Sequence, residues 1–229
     1  MNDPRLIADQ LTYYRERTPE YDEWFFRVGR YDRSPEHRAE WFREIATIEA
    51  ALLPAVRGKK VLELAAGTGL WTKRLVDSGA RVNAVDASPE AIALNRNRLQ
   101  DPEVSYEIAD IFCWRPCLKF DIVFFSFWLS HVPPQLFERF WETVRNALLP
   151  TGSALFVDSL LEQTSTAKDH TLLTRSGITW RKLNDGREFR IVKVFYEPQK
   201  LECDLVALGW SGSVQSSGKF FLYGSMSPH

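Results

Sequence analysis

The chain has 229 residues, 45% hydrophobic and 26% charged, with a net charge of −1. That length suits one large α/β domain able to bury its core without metal or disulfide support. The near-neutral charge supplies no global field toward nucleic acid or a membrane surface. Cys113, Cys117 and Cys203 are too few, and odd in number, for a disulfide framework, which fits a reducing, cytoplasmic setting. Cys113 and Cys117 have no second Cys or His pair at zinc spacing, so no metal site is expected. The opening MNDPRLIADQLTYYRER lacks the apolar stretch of a secretory signal. No apolar run nears the roughly 20 residues that cross a bilayer, so no membrane partner is expected.

Residues 4–28 read as one or two short helices broken at Thr18–Pro19 and crowded with aromatics: Tyr13, Tyr14, Tyr21, Trp24, Phe25 and Phe26. A polar loop, GRYDRSPEH, follows. Ser34 and Pro35 open a longer helix to about residue 56, with Trp41, Ile45, Ile48 and Leu52 on one face and Gly58 beyond its end. The next segments alternate: a strand at 61–64, a helix at 70–78, a strand at 81–85, and a helix from Ser88–Pro89 to about 99. Strands at 104–108 and 120–125 follow, then a helix from Pro134 with Leu136, Phe140, Val144 and Leu148 inward. A turn at Pro150–Thr151–Gly152 precedes a strand at 154–158. This alternation predicts a parallel sheet with helices on both faces. The rhythm then changes. Segments 179–183 and 189–196 flank Asn184–Asp185–Gly186, a hairpin signal. A helix at 198–208 and a last hairpin, 210–215 with 219–224, complete the chain. A single domain over 1–229 is expected, with 175–196 as an inserted hairpin.

The stretch KKVLELAAGTGL, residues 59–70, reads as a buried strand, a glycine turn and a helix start, a geometry that lets backbone N–H groups approach a ligand. A dinucleotide fingerprint needs three glycines; here Gly67 and Gly69 are present and Thr72 stands in the third position. The P-loop pattern also fails, since no Gly-Lys-Ser/Thr follows. S-adenosylmethionine has no phosphate and asks instead for acids. Glu63 lies just before the turn, where an anion suits the ammonium of the methionine end. Asp86 closes the next strand, 23 residues on, where a carboxylate accepts from both ribose hydroxyls. Asp110 follows the third strand, with Ile111 and Phe112 behind it, and suits an adenine. All three fall at carboxyl ends of adjacent predicted strands, where open α/β sheets bind ligands.

VLELAAGTGLWT, VNAVDAS, EIADIF and FDIVFFSFWLSHVP, in that order, resemble the four successive motifs of class I S-adenosylmethionine-dependent methyltransferases. Ala65–Ala66, in place of a glycine-containing tract, departs mildly from the family pattern. The resemblance implies a Rossmann-like seven-stranded sheet, order 3-2-1-4-5-7-6 with strand 7 antiparallel, and an N-terminal helical cap over residues 1–35. It implies S-adenosylmethionine as cofactor and S-adenosylhomocysteine as product. It places Glu63, Gly67 and Gly69 at the cofactor's amino-acid end, Asp86 at the ribose, Ala87 beside the adenine, Asp110 and Ile111 in the adenine pocket, and Ser126 near the methionyl group. The cap aromatics Tyr13 and Tyr21 are expected on the cofactor, and Tyr14 and Trp24 on the acceptor. Trp71 either contacts the donor or staples helix to sheet. Arg30 and Tyr31 are expected to reach the cofactor carboxylate.

Methyl transfer is an in-line displacement on a sulfonium, so orientation supplies much of the catalysis. His131 follows the fourth strand and is the candidate general base or acceptor contact, with bracing of the loop before Pro133–Pro134 as the alternative. Trp128 is expected to wall the acceptor site or to pack the core. Arg181, Arg190 and Lys193 on the late hairpin read as a solvated basic face, with binding of an anionic acceptor as the alternative. The expected function is methyl transfer to an N or O nucleophile of a small metabolite by a monomer or homodimer. A nucleic-acid substrate, which would usually bring a basic surface, is disfavoured by the near-neutral net charge. A nicotinamide-dependent oxidoreductase and a non-catalytic S-adenosylmethionine-binding module are the rival readings.

Overall fold

The computed structural model describes residues 4–174 and 177–229. Residues 1–3 of the expected cap and 175–176 of the expected hairpin insertion lie outside the described residues. Three helices come first: α1 (Pro4–Arg17), α2 (Tyr21–Phe26) and α3 (Pro35–Leu52). The alternating region follows as β1 (Lys60–Leu64), α4 (Leu70–Asp77), β2 (Arg81–Asp86), α5 (Pro89–Leu99), β3 (Ser105–Ile108), β4 (Phe120–Ser126), α6 (Phe137–Ala147) and β5 (Leu148–Ser159). Then come β6 (Gly177–Lys182), β7 (Glu188–Lys193), α7 (Pro198–Ala207), β8 (Trp210–Ser216) and β9 (Phe221–Pro228). Among the described residues no helix is long and apolar enough to cross a membrane.

Seven strands form one sheet in the order β3-β2-β1-β4-β5-β9-β8, and β6 with β7 forms a separate two-stranded ribbon. The first five strands of the large sheet pair in parallel, and β9 runs antiparallel to both β5 and β8. With β8 and β9 as the sixth and seventh strands, this is the expected order. The central strand β4, FDIVFFS, is apolar on both faces because both faces are covered. Alternate side chains diverge, as a strand requires. Ile122 and Phe124 join Trp41, Ile45 and Ile48 of α3 in one core, and Val123 and Phe125 join Phe140, Trp141 and Val144 of α6 in the other.

The helix starts follow their capping residues. Ser34 Oγ accepts from His37 N–H at 3.2 Å, and Ser88 Oγ from Ala91 N–H at 3.1 Å. The start of β5 differs from the sequence expectation. Leu148 already pairs with Phe120, and the register shifts between Phe120 and Ile122, so Pro150–Thr151–Gly152 is drawn into the strand as an irregularity. The close approach depends on Gly152, where a Cβ would stand 2.9 Å from the Asp121 carbonyl oxygen.

The turn from β1 into α4 places Gly69 at φ +88°, just before the helix. A Cβ there would meet Asn95 Oδ1 at 2.6 Å and Asn95 Cα at 3.0 Å. Asn95 is itself anchored, donating to Thr72 Oγ1 at 2.8 Å and accepting from Tyr106 OH at 3.2 Å. Gly69→Ala is therefore expected to destabilise the protein by about 1–3 kcal/mol through overpacking and a strained φ. An unchanged urea midpoint would show that α5 yields at this contact.

Candidate active site

A cavity of about 380 Å³ lies at the carboxyl ends of the parallel strands, within the range of roughly 300–1,000 Å³ of small-molecule sites. Its floor includes Ala65, Gly67, Asp86, Ala87, Asp110, Ile111 and Ser126, and α1 covers it with Gln10, Leu11, Tyr14 and Arg15. Two non-glycine residues at strand ends, Ala65 at φ +54° and Phe127 at φ +53°, hold left-handed backbone beside it. Such strain persists only where neighbours enforce it. Here Ala66 N–H donates to Val85 O at 3.1 Å and Phe127 N–H to Val157 O at 2.8 Å. The cap is fastened to the turn through Asp22 of α2, which accepts from Thr68 Oγ1 at 2.6 Å and pairs with Arg98.

The three acids occupy distinct places. Asp86 accepts from Gly67 N–H on Oδ2 and from Ser88 N–H on Oδ1, both at 2.8 Å. Burial nonetheless raises its pKa, and each oxygen keeps a free lone pair toward the cavity ligand. Asp110 Oδ1 accepts from Phe112 N–H at 3.0 Å, beside the buried Ile111. Glu63 does not line the cavity. It is 1% exposed behind the glycine turn, and neither carboxyl oxygen has a hydrogen-bond partner. Burial pushes its pKa up to about 8, against a smaller lowering by the nearby Thr72 hydroxyl and with a further rise from Asp86. An orphaned buried carboxyl is costly. Glu63 lines none of the neighbouring cavities, so its effect on a cationic group at the Gly67 turn runs through its charge and not through direct contact.

A second, deeper cavity of about 60 Å³ shares Tyr14, Tyr21, Phe127 and His131 with the first. Arg17, Arg181, Lys193, His170 and Tyr31 line its remaining wall. Arg17 stacks over Tyr21 at 4.9 Å and donates to Tyr31 OH at 3.4 Å, while its buried Nε has no partner. Arg181 is buried and, among the described residues, donates within its own strand, to Thr179 Oγ1 at 3.3 Å and Trp180 O at 3.2 Å. Among the described residues neither guanidinium has a carboxylate at ion-pair distance. Lys193 Nζ donates to Ser130 Oγ at 2.8 Å and stands 3.7 Å from Asp158. Burial lowers its pKa to about 8, against the upward pull of Asp158.

Both histidines here are neutral. His170 lies between Thr166 Oγ1 at 2.8 Å and the Lys182 backbone, and burial, then Arg181, lowers its pKa to about 3. His131 Nδ1 is 2.7 Å from the Val192 carbonyl, which can only accept, so Nδ1 carries the proton. Its Nε2 then accepts from Tyr14 OH at 2.7 Å. Burial first, and Lys193 second, hold its pKa well below the ordinary value.

Most of the expected residues converge. Tyr14, Tyr21 and His131 stand between the two cavities, and Trp24 lines the inner one with Nε1 donating to Ser165 O at 2.9 Å. Others lie elsewhere. Tyr13 lines neither cavity; it is buried under the hairpin against Leu183, Ile191 and Phe189. Trp71 packs on Phe124 at 5.4 Å and lines only a small void behind the turn. Gly69, like Glu63, sits behind the outer cavity. Trp128 stacks on Phe112 at 5.3 Å in the outer cavity, away from the inner one. Arg30 pairs with Asp169 at 2.8 Å and donates to Lys182 O, tying the loop to the hairpin.

The solvated basic face expected on the hairpin does not hold for Arg181 and Lys193, each 7% exposed, because the ribbon packs against α1 and turns these two side chains inward. Arg190 does remain half-exposed, 3.7 Å from Asp9. Sequence reading passed over Arg17 and His170. Arg17 follows Gln10 and Tyr14 at helical spacing, which places the three on one face and was the available signal. His170 lies in an irregular segment that offers none.

The family model described as "Methyltransferase domain" matches residues 61–152. DhpI, solved in complex with SAH, is 39% identical to this chain with 97% of each chain covered and a TM-score of 0.77. In its complex with SAM and HEP the identity is 40%, the coverage 97% of this chain and 98% of that one, and the TM-score 0.78. An uncharacterized methyltransferase of Staphylococcus carnosus is 32% identical over 111 residues, 48% of this chain and 52% of the relative. The ubiquinone biosynthesis O-methyltransferase of Coxiella burnetii is 31% identical over 111 residues, 46% of this chain and 45% of the relative. The chain thus spans about half the length of the curated relatives it matches.

Glu63 gives the ligand-free protein a specific pH dependence. A carboxyl whose folded pKa exceeds its unfolded value contributes stability that is fully present below the unfolded value and is lost as pH rises through the folded one, here about 8. Glu63→Gln is expected to flatten the fall in urea stability between pH 6 and about 8.5 while weakening S-adenosylhomocysteine binding about 10-fold. A fall of the same steepness in the variant would assign it to another group.

Proposed function

The chain belongs to the class I S-adenosylmethionine-dependent methyltransferases, and on that footing we propose that it transfers the methyl group to an oxygen of a small anionic acceptor held in the inner cavity. The observation that carries this reading is the wall of buried cations, Arg17, Arg181 and Lys193, with Asp158 beside Lys193 as the one carboxylate in ion-pair reach among the described residues. Buried charge without a partner is strongly unfavourable. An oxyanion supplies the missing charge and accepts from the guanidinium forks. An amine, cationic near neutral pH, would be repelled from the same wall. The small volume favours a compact acceptor group.

In this reading Glu63 and the Gly67 turn hold the cofactor's amino-acid end, Asp86 the ribose hydroxyls, and Asp110 with Ile111 the adenine. When bound, S-adenosylmethionine supplies an electrophilic methyl group on a sulfonium. The side chains common to both cavities, Tyr14, Tyr21, Phe127 and His131, form the neck across which the acceptor oxygen faces that group. The closed cap excludes water and holds the reactants in line. An oxyanion arrives deprotonated, so no general base is needed. His131, neutral and bonded on both nitrogens, orients the Tyr14 hydroxyl rather than taking a proton. Methylation removes a negative charge and so loosens the product from the cationic wall. Two relatives lend support: DhpI was solved with SAM and HEP together, and the Coxiella burnetii relative is an O-methyltransferase.

Methyl-labelled S-adenosylmethionine, incubated with matched panels of small carboxylic acids, phosphorus oxyacids and amines, tests the proposal. Labelled methyl esters are the expected products, and label confined to amines would overturn it. Arg17→Met and Arg181→Met are each expected to raise the acceptor KM about 10-fold or more with little change in donor affinity. Lys193 must carry its proton to hold an anion. Acceptor kcat/KM should therefore fall as pH rises past about 8, and in kcat the bound anion moves that limb upward. Lys193→Arg should carry the limb to higher pH, because a guanidinium stays protonated.

A further inference from the structure

Gln10 is 1% exposed beneath the cap, and its side-chain amide closes a ring of three hydrogen bonds between segments far apart in the chain. Its Nε2 donates to the His131 carbonyl at 3.0 Å, and its Oε1 accepts from Val192 N–H at 3.0 Å. The ring closes where His131 Nδ1 donates to the Val192 carbonyl at 2.7 Å. One side chain thereby ties α1 at a single point both to the loop after β4 and to β7. The neighbours of the tied atoms carry the inner site. Lys193 follows Val192, Tyr14 lies one turn beyond Gln10 on α1, and His131 is itself in the ring.

We propose that Gln10 is a positioning residue for methyl transfer, its amide setting the register of β7 and of His131 so that Tyr14 and Lys193 meet at the acceptor wall. The proposal rests on the two-cavity reading above. Only a side chain that both donates and accepts, at this length, satisfies the two backbone groups. Leucine of similar size orphans the His131 carbonyl and the Val192 N–H. Glutamate keeps the acceptor toward Val192 and loses the donor toward His131. Because Gln10 also lies in the roof of the outer cavity, the roof of the donor site and the acceptor array move as one unit. The ring further holds His131 in one tautomer with Nε2 turned to Tyr14. The charged and titratable groups around that imidazole are Tyr14 and Arg17 from α1, Arg181 from β6, Lys193 from β7, and Asp158 from β5, which accepts from Ser130 N–H at 2.8 Å.

Nuclear magnetic resonance of the full chain labelled at histidine nitrogen, with S-adenosylhomocysteine bound, provides the test, with His131 assigned through His131→Gln. The wild-type ring is expected to show the Nδ1-protonated neutral tautomer with no titration between about pH 5.5 and 7.5. In Gln10→Leu the signal should change to mixed tautomers or a titrating ring. Unaltered His131 tautomer and titration in a folded Gln10→Leu protein would reduce Gln10 to a packing residue and overturn the proposal. If Gln10→Leu does not fold, Gln10→Glu decides by the same criterion. Inorganic phosphate, as a probe of the inner cavity, tests the underlying reading separately. A wild-type His131 signal insensitive to phosphate counts against an anionic acceptor, whereas the tautomer alone decides the role of Gln10.

Discussion

Two guanidinium groups buried with no carboxylate at ion-pair distance among the described residues are the constraint around which the upper half of this molecule is arranged. Arg17 comes from the cap helix and Arg181 from the ribbon, and both line the same small cavity. The Arg17 charge meets the face of Tyr21 and the hydroxyl of Tyr31, and Arg181 meets Thr179 Oγ1 and the Trp180 carbonyl, weak substitutes for an anion. Neighbouring basic groups deepen the imbalance, since Lys193 has only Asp158 and both histidines are neutral. A fold that keeps such a cluster dry has a site tuned to negative charge.

The sheet supplies the rigid half of that arrangement. Its parallel strands end together, and the first and fourth turn out through left-handed residues, Ala65 and Phe127, that aim backbone at the two cavities. The cap and ribbon are held down by polar ties as well as by apolar packing, in which Trp24, Phe25 and Tyr31 join the main core. Gln10, the Asp22–Thr68 contact and the Arg30–Asp169 pair are the polar fastenings. The two cavities are therefore built from different kinds of structure, the outer one from strand ends close in the chain, the inner one from distant segments.

Much of this was legible before any coordinates. Glu63, Asp86 and Asp110 stand at or near strand ends because segments of strand length precede each of them, and the turn chemistry between them is local. The same locality limited the reading elsewhere. Tyr13 and Tyr14 are adjacent and chemically alike, yet one packs the ribbon and the other lines both cavities; only the rotation of α1 on its neighbours separates them. Trp71 follows the glycines closely but faces the core, because the first turn of α4 carries it away from the ligand. A basic hairpin reads as solvated until the ribbon is seen to lie against α1.

By itself the sequence set the strands and helices, the glycine turn and the acids near it, through short-range periodicity and single strand–helix spacings, and the order of the sheet through its resemblance to the family's four motifs. The tertiary structure alone decided the inner cavity: which cations are buried, which tyrosine stands between the two cavities, and that His131 is pinned on both ring nitrogens. The physical reason is that burial and desolvation belong to no segment. They arise only when α1, the loop after β4 and the late ribbon close over one another, and it is that closure which turns ordinary surface residue types into a dry, positively charged site.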